Sequence, residues 1–328
     1  MIQHIFWFAD PHFENFFATV WSPGRFGVVA FFIVSGFIVP RSLEVKGDVK
    51  AFWTSRFFRL FPPYWASLAA IALVWAAGLV WHPLVTKKVL LQWVVNLTML
   101  QGFVKVPDVN PVAWTLGIEM AFYGAITFAF IQGFLRKSWT ISLTLLALLT
   151  VASTLLPWVA HIRFPAGAAA VGGSIIAGLA LFRHFSGEIK KWEAMSITML
   201  CLIVTVLSSL VNYSSTRSAT DILQPTQLAA ISSVITGYAF FLGALAVKDA
   251  KFPQPVLWLG KISYSLYLFH PVAGMIVPES LSPVVRVIPQ LALSILFAWL
   301  GYQYIELPCM AMMKRVVSRR SEAKPVPA

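Results

Sequence analysis

The feature that most constrains this chain is a series of long apolar runs separated by short polar segments. A helix needs roughly 20 apolar residues to cross a bilayer. Nine runs approach that length: 24–40, 62–81, 111–134, 139–160, 164–182, 194–212, 225–247, 255–277 and 286–305. Only 12% of the 328 residues are charged, whereas soluble domains average about 25%. The sequence therefore predicts an all-α polytopic bundle embedded in a membrane.

Two segments do not fit the pattern of spans. The apolar segment 89–104 is short and interrupted, so we expect it to be interfacial or re-entrant. Residues 1–20 are too polar to span and lack the basic start and apolar core of a signal peptide. The expected organisation is a membrane domain over residues 1–310 and a basic cytoplasmic tail over residues 311–328. Cys201 and Cys309 lie in or beside apolar runs and indicate neither a disulfide framework nor a metal site.

The distribution of basic residues predicts the orientation of the bundle. Successive connections between spans lie on alternate sides of the membrane. If segment 41–61 is cytoplasmic, seventeen of the 25 lysines and arginines therefore fall inside and six outside. The positive-inside rule favours this orientation, which leaves the C-terminus in the cytoplasm. The same distribution accounts for the net charge of +12 without a nucleic-acid partner.

Polar side chains inside the runs are candidates for function, since an ionisable group at the bilayer centre costs about 2.5–3.5 kcal/mol. Glu119 is the clearest case, and its spacing puts it on one helix face with Thr115 and Tyr123. A second shared face is predicted for Ser263, Tyr267 and His270. Counted from the ends of their runs, Glu119 and His270 both fall in the outer half of the bilayer. They are expected to line one cavity, unless Glu119 only bonds a neighbouring helix and His270 only ends its own.

Two arginines stand one helical turn apart in the stretch "SRFFRLFPPYW". Arg56 and Arg59 have i, i+3 spacing and should face the same way on a helix. They are either anchors that mark the cytoplasmic side of a span or ligands for an anionic group.

Small residues and histidines form two further patterns near the N-terminus. Ser35 and Gly36 interrupt an apolar run and favour close helix packing. His4 and His12 carry imidazoles, which suit a general base near neutral pH. From spacing alone, two histidines in a short segment equally fit surface residues.

Five blocks of the sequence follow one another in a recognisable order. His4 precedes "FGVVAFFIVSGFIV" by about twenty residues, and "RFFRLFPPYW", "WTLGIEMAFY", "LGKISYSLYLFHP" and "YQYIELP" come after it. Together, from residue 4 to residue 308, they resemble the membrane-bound acyltransferase 3 family, whose members O-acetylate bacterial surface polysaccharides. The family pattern has ten spans. Measured against it, the chain lacks most of the first helix, including an arginine, and residues 1–20 are the remnant of that helix and its outer loop.

The resemblance implies an acyltransferase of the bacterial cytoplasmic membrane. It would move an acyl group, most often acetyl, from cytoplasmic acyl-CoA to a hydroxyl of a cell-surface or lipid-linked glycan. By the same resemblance, His4 is the base, Glu119 orients or charge-balances it, and Arg56 and Arg59 bind the coenzyme A phosphates at the inner face. A pantetheine arm would then join these arginines to the outer half. The expected substrate pocket comprises Tyr64, Trp114, Tyr123, Ser263, Tyr267 and His270.

The implied ligands are acyl-CoA as co-substrate, a hydroxyl acceptor and membrane lipid, with no bound cofactor, metal or nucleic acid. Two other functions stay open. An exporter or transporter of a glycan or small molecule also uses intramembrane Glu and His, although no internal repeat is visible. A truncated, non-catalytic remnant of the acyltransferase would explain the incomplete first helix. The acceptor, the acyl chain and the oligomeric state stay open as well.

Overall fold

A computed structural model describes residues 3, 5, 11–79, 89–161, 164–212, 226–278 and 280–322. Within these residues every regular element is helical, which confirms the predicted all-α bundle. The α-helices are α1 (Pro11–Thr19), α2 (Pro23–Lys46), α3 (Val49–Ala76), α4 (Val89–Asn96), α5 (Trp114–Ile131), α6 (Ser138–Thr150), α7 (Leu156–Ala160), α8 (Ala166–Phe185), α9 (Lys191–Asn212), α10 (Gln227–Ala246), α11 (Gln254–Ile276), α12 (Pro283–Gly301) and α13 (Leu307–Glu322). Short π-helical turns, Val151–Leu155 and Tyr302–Glu306, join α6 to α7 and α12 to α13.

Eight helical stretches in the described part of the chain are long and apolar enough to cross a membrane. They are α2, α3, α5, Trp139–Ala160, α8, α9, α10 and Pro283–Val316. The ninth expected span, 255–277, is present as the 23-residue helix α11 but is not among the eight. Its serines, tyrosines and histidine make it more polar than the others, and it packs along α12.

Helix α3 differs from its predicted span. The expected run was 62–81, but the helix begins at Val49 and ends at Ala76. Asp48 caps its start, accepting a hydrogen bond from the backbone nitrogen of Lys50 at 2.7 Å. Gly47, with φ of +60°, ends the preceding helix, so the chain reverses within two residues. As a result, Arg56 and Arg59 lie inside a helix rather than in a connecting loop.

In the segment between α3 and α5, residues 89–104 contain no helix long enough to span, as predicted, because α4 is only eight residues long. Buried asparagines hold this segment against the bundle. Tyr64 Oη on α3 donates to the carbonyl of Asn96 at 2.8 Å. Asn110 Nδ2 donates to the carbonyl of Leu268 on α11 at 3.0 Å. The segment is therefore fixed to both α3 and α11 just before α5 begins.

Helices α2 and α8 cross at two glycines. A Cβ atom on Gly36 would lie 2.3 Å from the carbonyl oxygen of Ile175, and one on Gly178 would lie 2.1 Å from that of Ile33. Neither contact leaves room for a side chain. The close packing predicted from Ser35 and Gly36 is confirmed.

A buried arginine joins three helix ends on one side of the bundle. Arg183, at the end of α8, donates from Nη1 and Nη2 to the two carboxylate oxygens of Glu44 at 2.9 and 2.5 Å. It also donates to Glu188 at 2.6 Å and to the carbonyl of Leu135 at 2.8 Å. The ends of α2, α5 and α8 therefore share one side, in agreement with the alternation used to count charges.

Candidate active site

A cluster of polar side chains inside the bundle joins α3 to α5. Tyr123 Oη donates a hydrogen bond to Glu119 Oε1. The guanidinium carbon of Arg56 lies 5.0 Å from the centre of the Tyr123 ring and 5.3 Å from that of Phe52. All four side chains are buried. We call Arg56, Glu119 and Tyr123 the α3–α5 cluster.

Helical spacing explains how the cluster forms. Glu119 and Tyr123 are four residues apart on α5, so the hydroxyl of one reaches the carboxylate of the other. One turn further along α5, Thr127 Oγ1 accepts a hydrogen bond from Trp53 Nε1 on α3 at 3.1 Å. The face of α5 predicted to carry Glu119 is therefore the face that meets the first turns of α3.

The two arginines of α3 have different environments. Arg56 is buried, its Nε has no hydrogen-bond partner, and the guanidinium donates to none of the residues that the structure describes. Arg59 is exposed and likewise forms no hydrogen bond or ion pair within the described ranges. Both charges nevertheless act on the Glu119 carboxylate. Three residues rotate a helix by about 300°, and the remaining offset of about 60° puts Arg56 inside and Arg59 at the rim.

Helix α11 brings a second set of polar groups to the same region. Tyr267 Oη donates to the carbonyl of Val112 and lies 2.5 Å from Thr115 Oγ1, at the start of α5. His270 is buried, and its Nδ1 lies 2.9 Å from the carbonyl oxygen of Tyr267. The two polar faces predicted on α5 and α11 thus meet through Thr115 and Tyr267.

Three other predicted pocket residues do not hydrogen-bond to the α3–α5 cluster in the described part of the chain. The hydroxyl of Tyr64 is occupied by the carbonyl of Asn96. Ser263 is exposed and donates to the carbonyl of Gly260 at 2.8 Å. Trp114 is 45% exposed at the start of α5. The predicted base, His4, lies outside the described residues.

The structure adds polar groups that the sequence analysis missed. Tyr264 Oη donates to the carbonyl of Leu60 on α3 at 2.8 Å. Ser265 Oγ donates to Glu306 Oε2 at 2.9 Å, and both residues are buried. Glu306 was overlooked because it falls one residue beyond the predicted run 286–305. The signal that points to it is its place in the "YQYIELP" block.

A carboxylate also lies at the end of the bundle, outside the spans. Asp108 is half-buried in the segment before α5, and Gln101 Nε2 donates to its Oδ1 at 2.7 Å. Burial raises the pKa of the Asp108 carboxyl above its ordinary value, and the hydrogen bond from Gln101 opposes part of that rise. The carboxyl therefore takes up a proton more readily than an exposed aspartate.

The chemistry available to the cluster follows from these contacts. A buried guanidinium with unused donors suits a phosphate or carboxylate ligand. A carboxylate held by a tyrosine hydroxyl can orient an imidazole or balance its charge. Within the described ranges, no group of three or more His, Cys, Asp or Glu residues could hold a metal ion.

Comparisons with known proteins identify the family of the chain. The family model described as an acyltransferase domain, acyltransferase 3, matches residues 2–303. The acyltransferase MdmB of Streptomyces mycarofaciens is 26% identical over 287 residues, covering 80% of this chain and 71% of the relative. The peptidoglycan O-acetyltransferase OatA of Listeria monocytogenes is 26% identical over 335 residues, covering 88% of this chain and 52% of the relative. The chain thus spans about half the length of OatA.

No solved structure gives a significant match to the chain. The family match covers nearly the whole bundle, including both helices of the α3–α5 cluster. The membrane-spanning helices and this match lead to one assignment: the chain belongs to the acyltransferase 3 family and is a multi-pass membrane acyltransferase.

Proposed function

We propose that this protein transfers an acyl group, typically acetyl, from cytoplasmic acyl-CoA to a hydroxyl of a cell-surface or lipid-linked glycan at a bacterial inner membrane. The observation that carries the proposal is the buried guanidinium of Arg56, which lies beside Glu119 without a hydrogen-bond acceptor in the described residues.

The donor site is proposed at the two arginines of α3. Coenzyme A carries several phosphate oxygens, and a guanidinium binds such oxygens with two parallel hydrogen bonds. A hydrogen bond to a charged group contributes about 1.5–3 kcal/mol, so an anionic ligand would stabilise the buried Arg56 considerably. Arg59, exposed at the rim, would meet the incoming phosphates first.

The acyl transfer itself requires a base beside the acceptor. The acceptor oxygen forms a bond to the thioester carbonyl carbon, the carbon–sulfur bond breaks, and the hydroxyl proton passes through the base to the departing thiolate. His4 remains our prediction for that base. Glu119, held by Tyr123, would orient the imidazole and balance the positive charge that it gains.

The side from which the donor enters is inferred from charge. Arg56 lies seven residues into α3, about 10 Å from the end that α3 shares with the Arg183 network. Basic residues are concentrated at that end, for example Arg41 near the end of α2 and Lys50 at the start of α3. The positive-inside rule supports a cytoplasmic location for it, which is the compartment that contains acyl-CoA.

The acceptor class is inferred from the relatives. OatA is named for O-acetylation of peptidoglycan, a glycan hydroxyl acceptor. The name of MdmB specifies an acyltransferase without an acceptor. The family assignment favours this chemistry over the exporter alternative, because the matching family model is that of an acyltransferase domain.

The test of the donor site is turnover by protein purified in detergent, measured as free thiol released from acetyl-CoA in the presence of a glycan acceptor. Arg56→Gln should abolish transfer, and Arg59→Gln should raise the KM for acetyl-CoA while some turnover remains; both proteins should still insert and accumulate. Arg41→Gln, an exposed arginine on α2, is the matched control and should keep wild-type activity. Normal turnover in both site variants would show that the donor binds elsewhere.

Two further outcomes separate the remaining parts of the proposal. Mass spectrometry of surface glycans with and without the gene should show loss of acyl groups. An unchanged glycan profile, with donor turnover intact, would contradict a glycan acceptor. Wild-type protein that accumulates but never turns over a donor would support the non-catalytic alternative.

A further inference from the structure

A second buried carboxylate lies close to the proposed donor site and has no part in the reaction described above. Glu306 is 3% exposed and is the last residue of the π-helical turn Tyr302–Glu306. Turns of this kind interrupt α-helices and occur frequently at functional sites. Ser265 on α11 donates to Glu306 Oε2 at 2.9 Å, so the carboxylate has a fixed position.

Two consecutive residues of α11 relate this carboxylate to the second arginine. Tyr264 bonds to the carbonyl of Leu60, the residue that follows Arg59, while Ser265 bonds to Glu306. The π-helical turn also packs against α3. These contacts hold Glu306 beside the turn of α3 that carries Arg59, and the two charges interact.

A carboxylate that orients the guanidinium would affect Arg59 more than Arg56. The Arg56 guanidinium already lies against the rings of Phe52 and Tyr123. Arg59 is exposed and has no hydrogen-bonded or ion-paired partner in the described ranges. A free arginine side chain loses rotamer entropy when it binds a ligand, which weakens the binding.

We propose that Glu306 is a positioning residue for the acyl donor: its fixed carboxylate attracts Arg59 and keeps the guanidinium turned toward the donor site. This inference rests on the proposed function, in which Arg59 binds a phosphate of acyl-CoA. Ser265 would act one step further away, by fixing the carboxylate itself.

The test is a double-mutant cycle on the Michaelis constant for acetyl-CoA, measured by thiol release with Glu306→Gln, Arg59→Gln and the double variant. Glu306→Gln keeps the size of the side chain and removes its charge. It should raise the donor KM about fivefold and leave kcat within about twofold. In the Arg59→Gln background it should raise KM no further. Glu306→Asp should restore part of the donor affinity, and Gln303→Ala, an exposed neighbour on the same turn, should have no effect.

The other outcomes also test the role of Glu306. An unchanged or lower KM in Glu306→Gln, or effects that simply add in the double variant, would overturn the role of Glu306 while Arg59→Gln remains impaired. A normal KM in Arg59→Gln would remove the donor site and this inference together. If Glu306→Gln fails to accumulate, Ser265→Ala takes its place: a raised KM supports the proposal, and a wild-type KM rejects it.

Discussion

The hydrogen bond between Tyr123 and Glu119 can be deleted without disturbing Arg56. Tyr123→Phe removes only Oη, whose described partner is Glu119. The ring that lies 5.0 Å from the Arg56 guanidinium carbon stays in place. The variant therefore separates the proposed catalytic carboxylate from the proposed donor site.

The expected magnitude follows from the contact that is lost. A hydrogen bond to a charged group contributes about 1.5–3 kcal/mol. If Glu119 must stay oriented in the transition state, this loss corresponds to a fall in kcat of about 10- to 150-fold. The KM for acetyl-CoA should stay within about twofold, because the contacts of Arg56 are unchanged. Thiol release by detergent-purified protein measures both constants.

The matched control is Tyr304→Phe, which removes a hydroxyl from a tyrosine that is 67% exposed. It should leave both constants at wild-type values, and size-exclusion chromatography should show equal accumulation of the two variants. A kcat within twofold of wild type in Tyr123→Phe would show that the Glu119 contact is not used in catalysis. A change confined to KM would assign Tyr123 to donor binding instead.

Three further predictions concern stability and can be measured by thermal unfolding in detergent. Gly178→Ala should lower the free energy of unfolding by about 1–3 kcal/mol, because the new Cβ would lie 2.1 Å from a carbonyl oxygen of α2. The control is Gly243→Ala, whose new Cβ would meet no neighbouring atom within 4 Å, and it should not lower the unfolding midpoint. Glu44→Gln should lower the free energy of unfolding by about 1–3 kcal/mol, because Arg183 loses one charged partner but keeps Glu188 and the carbonyl of Leu135. An unchanged unfolding midpoint would refute that expectation. Because burial raises the pKa of Asp108, the free energy of unfolding of the wild type should rise as the pH falls from neutral toward about 4. Asp108→Asn should remove that contribution. An identical pH dependence in both proteins would contradict this prediction.

The fold was largely predictable because a bilayer imposes simple demands on length and polarity. Eight spans follow directly from apolar runs. The start of α3 did not, since the predicted run began at residue 62 whereas the helix begins at Val49. Hydropathy cannot detect a helix whose first turns are polar on one face and are covered there by another helix.

The site was predictable along each helix but not between helices. Periodicity correctly grouped Glu119 with Tyr123, which hydrogen-bond on α5. It could not indicate that α3 packs against that face, so the expected gap between the arginines and Glu119 is replaced by direct contact of Arg56 with Tyr123. A run that starts at residue 62 puts both arginines before the span, whereas α3 already begins at Val49.

Two buried arginines in the same bundle distinguish a structural role from a binding role. Arg183 is 1% exposed, and its terminal nitrogens donate to Glu44, Glu188 and the carbonyl of Leu135. Arg56 is 9% exposed, lies against two aromatic rings and near the Glu119 carboxylate, and has no hydrogen-bond acceptor within the described ranges. A desolvated charge is costly unless it is hydrogen-bonded, and cation–π contacts offset about 2 kcal/mol of that cost. The terminal nitrogens of Arg183 are satisfied by protein groups, although its Nε is not, whereas the Arg56 guanidinium donates to none of the described residues. Under the proposal above, a phosphate of the donor would supply the acceptors that Arg56 lacks.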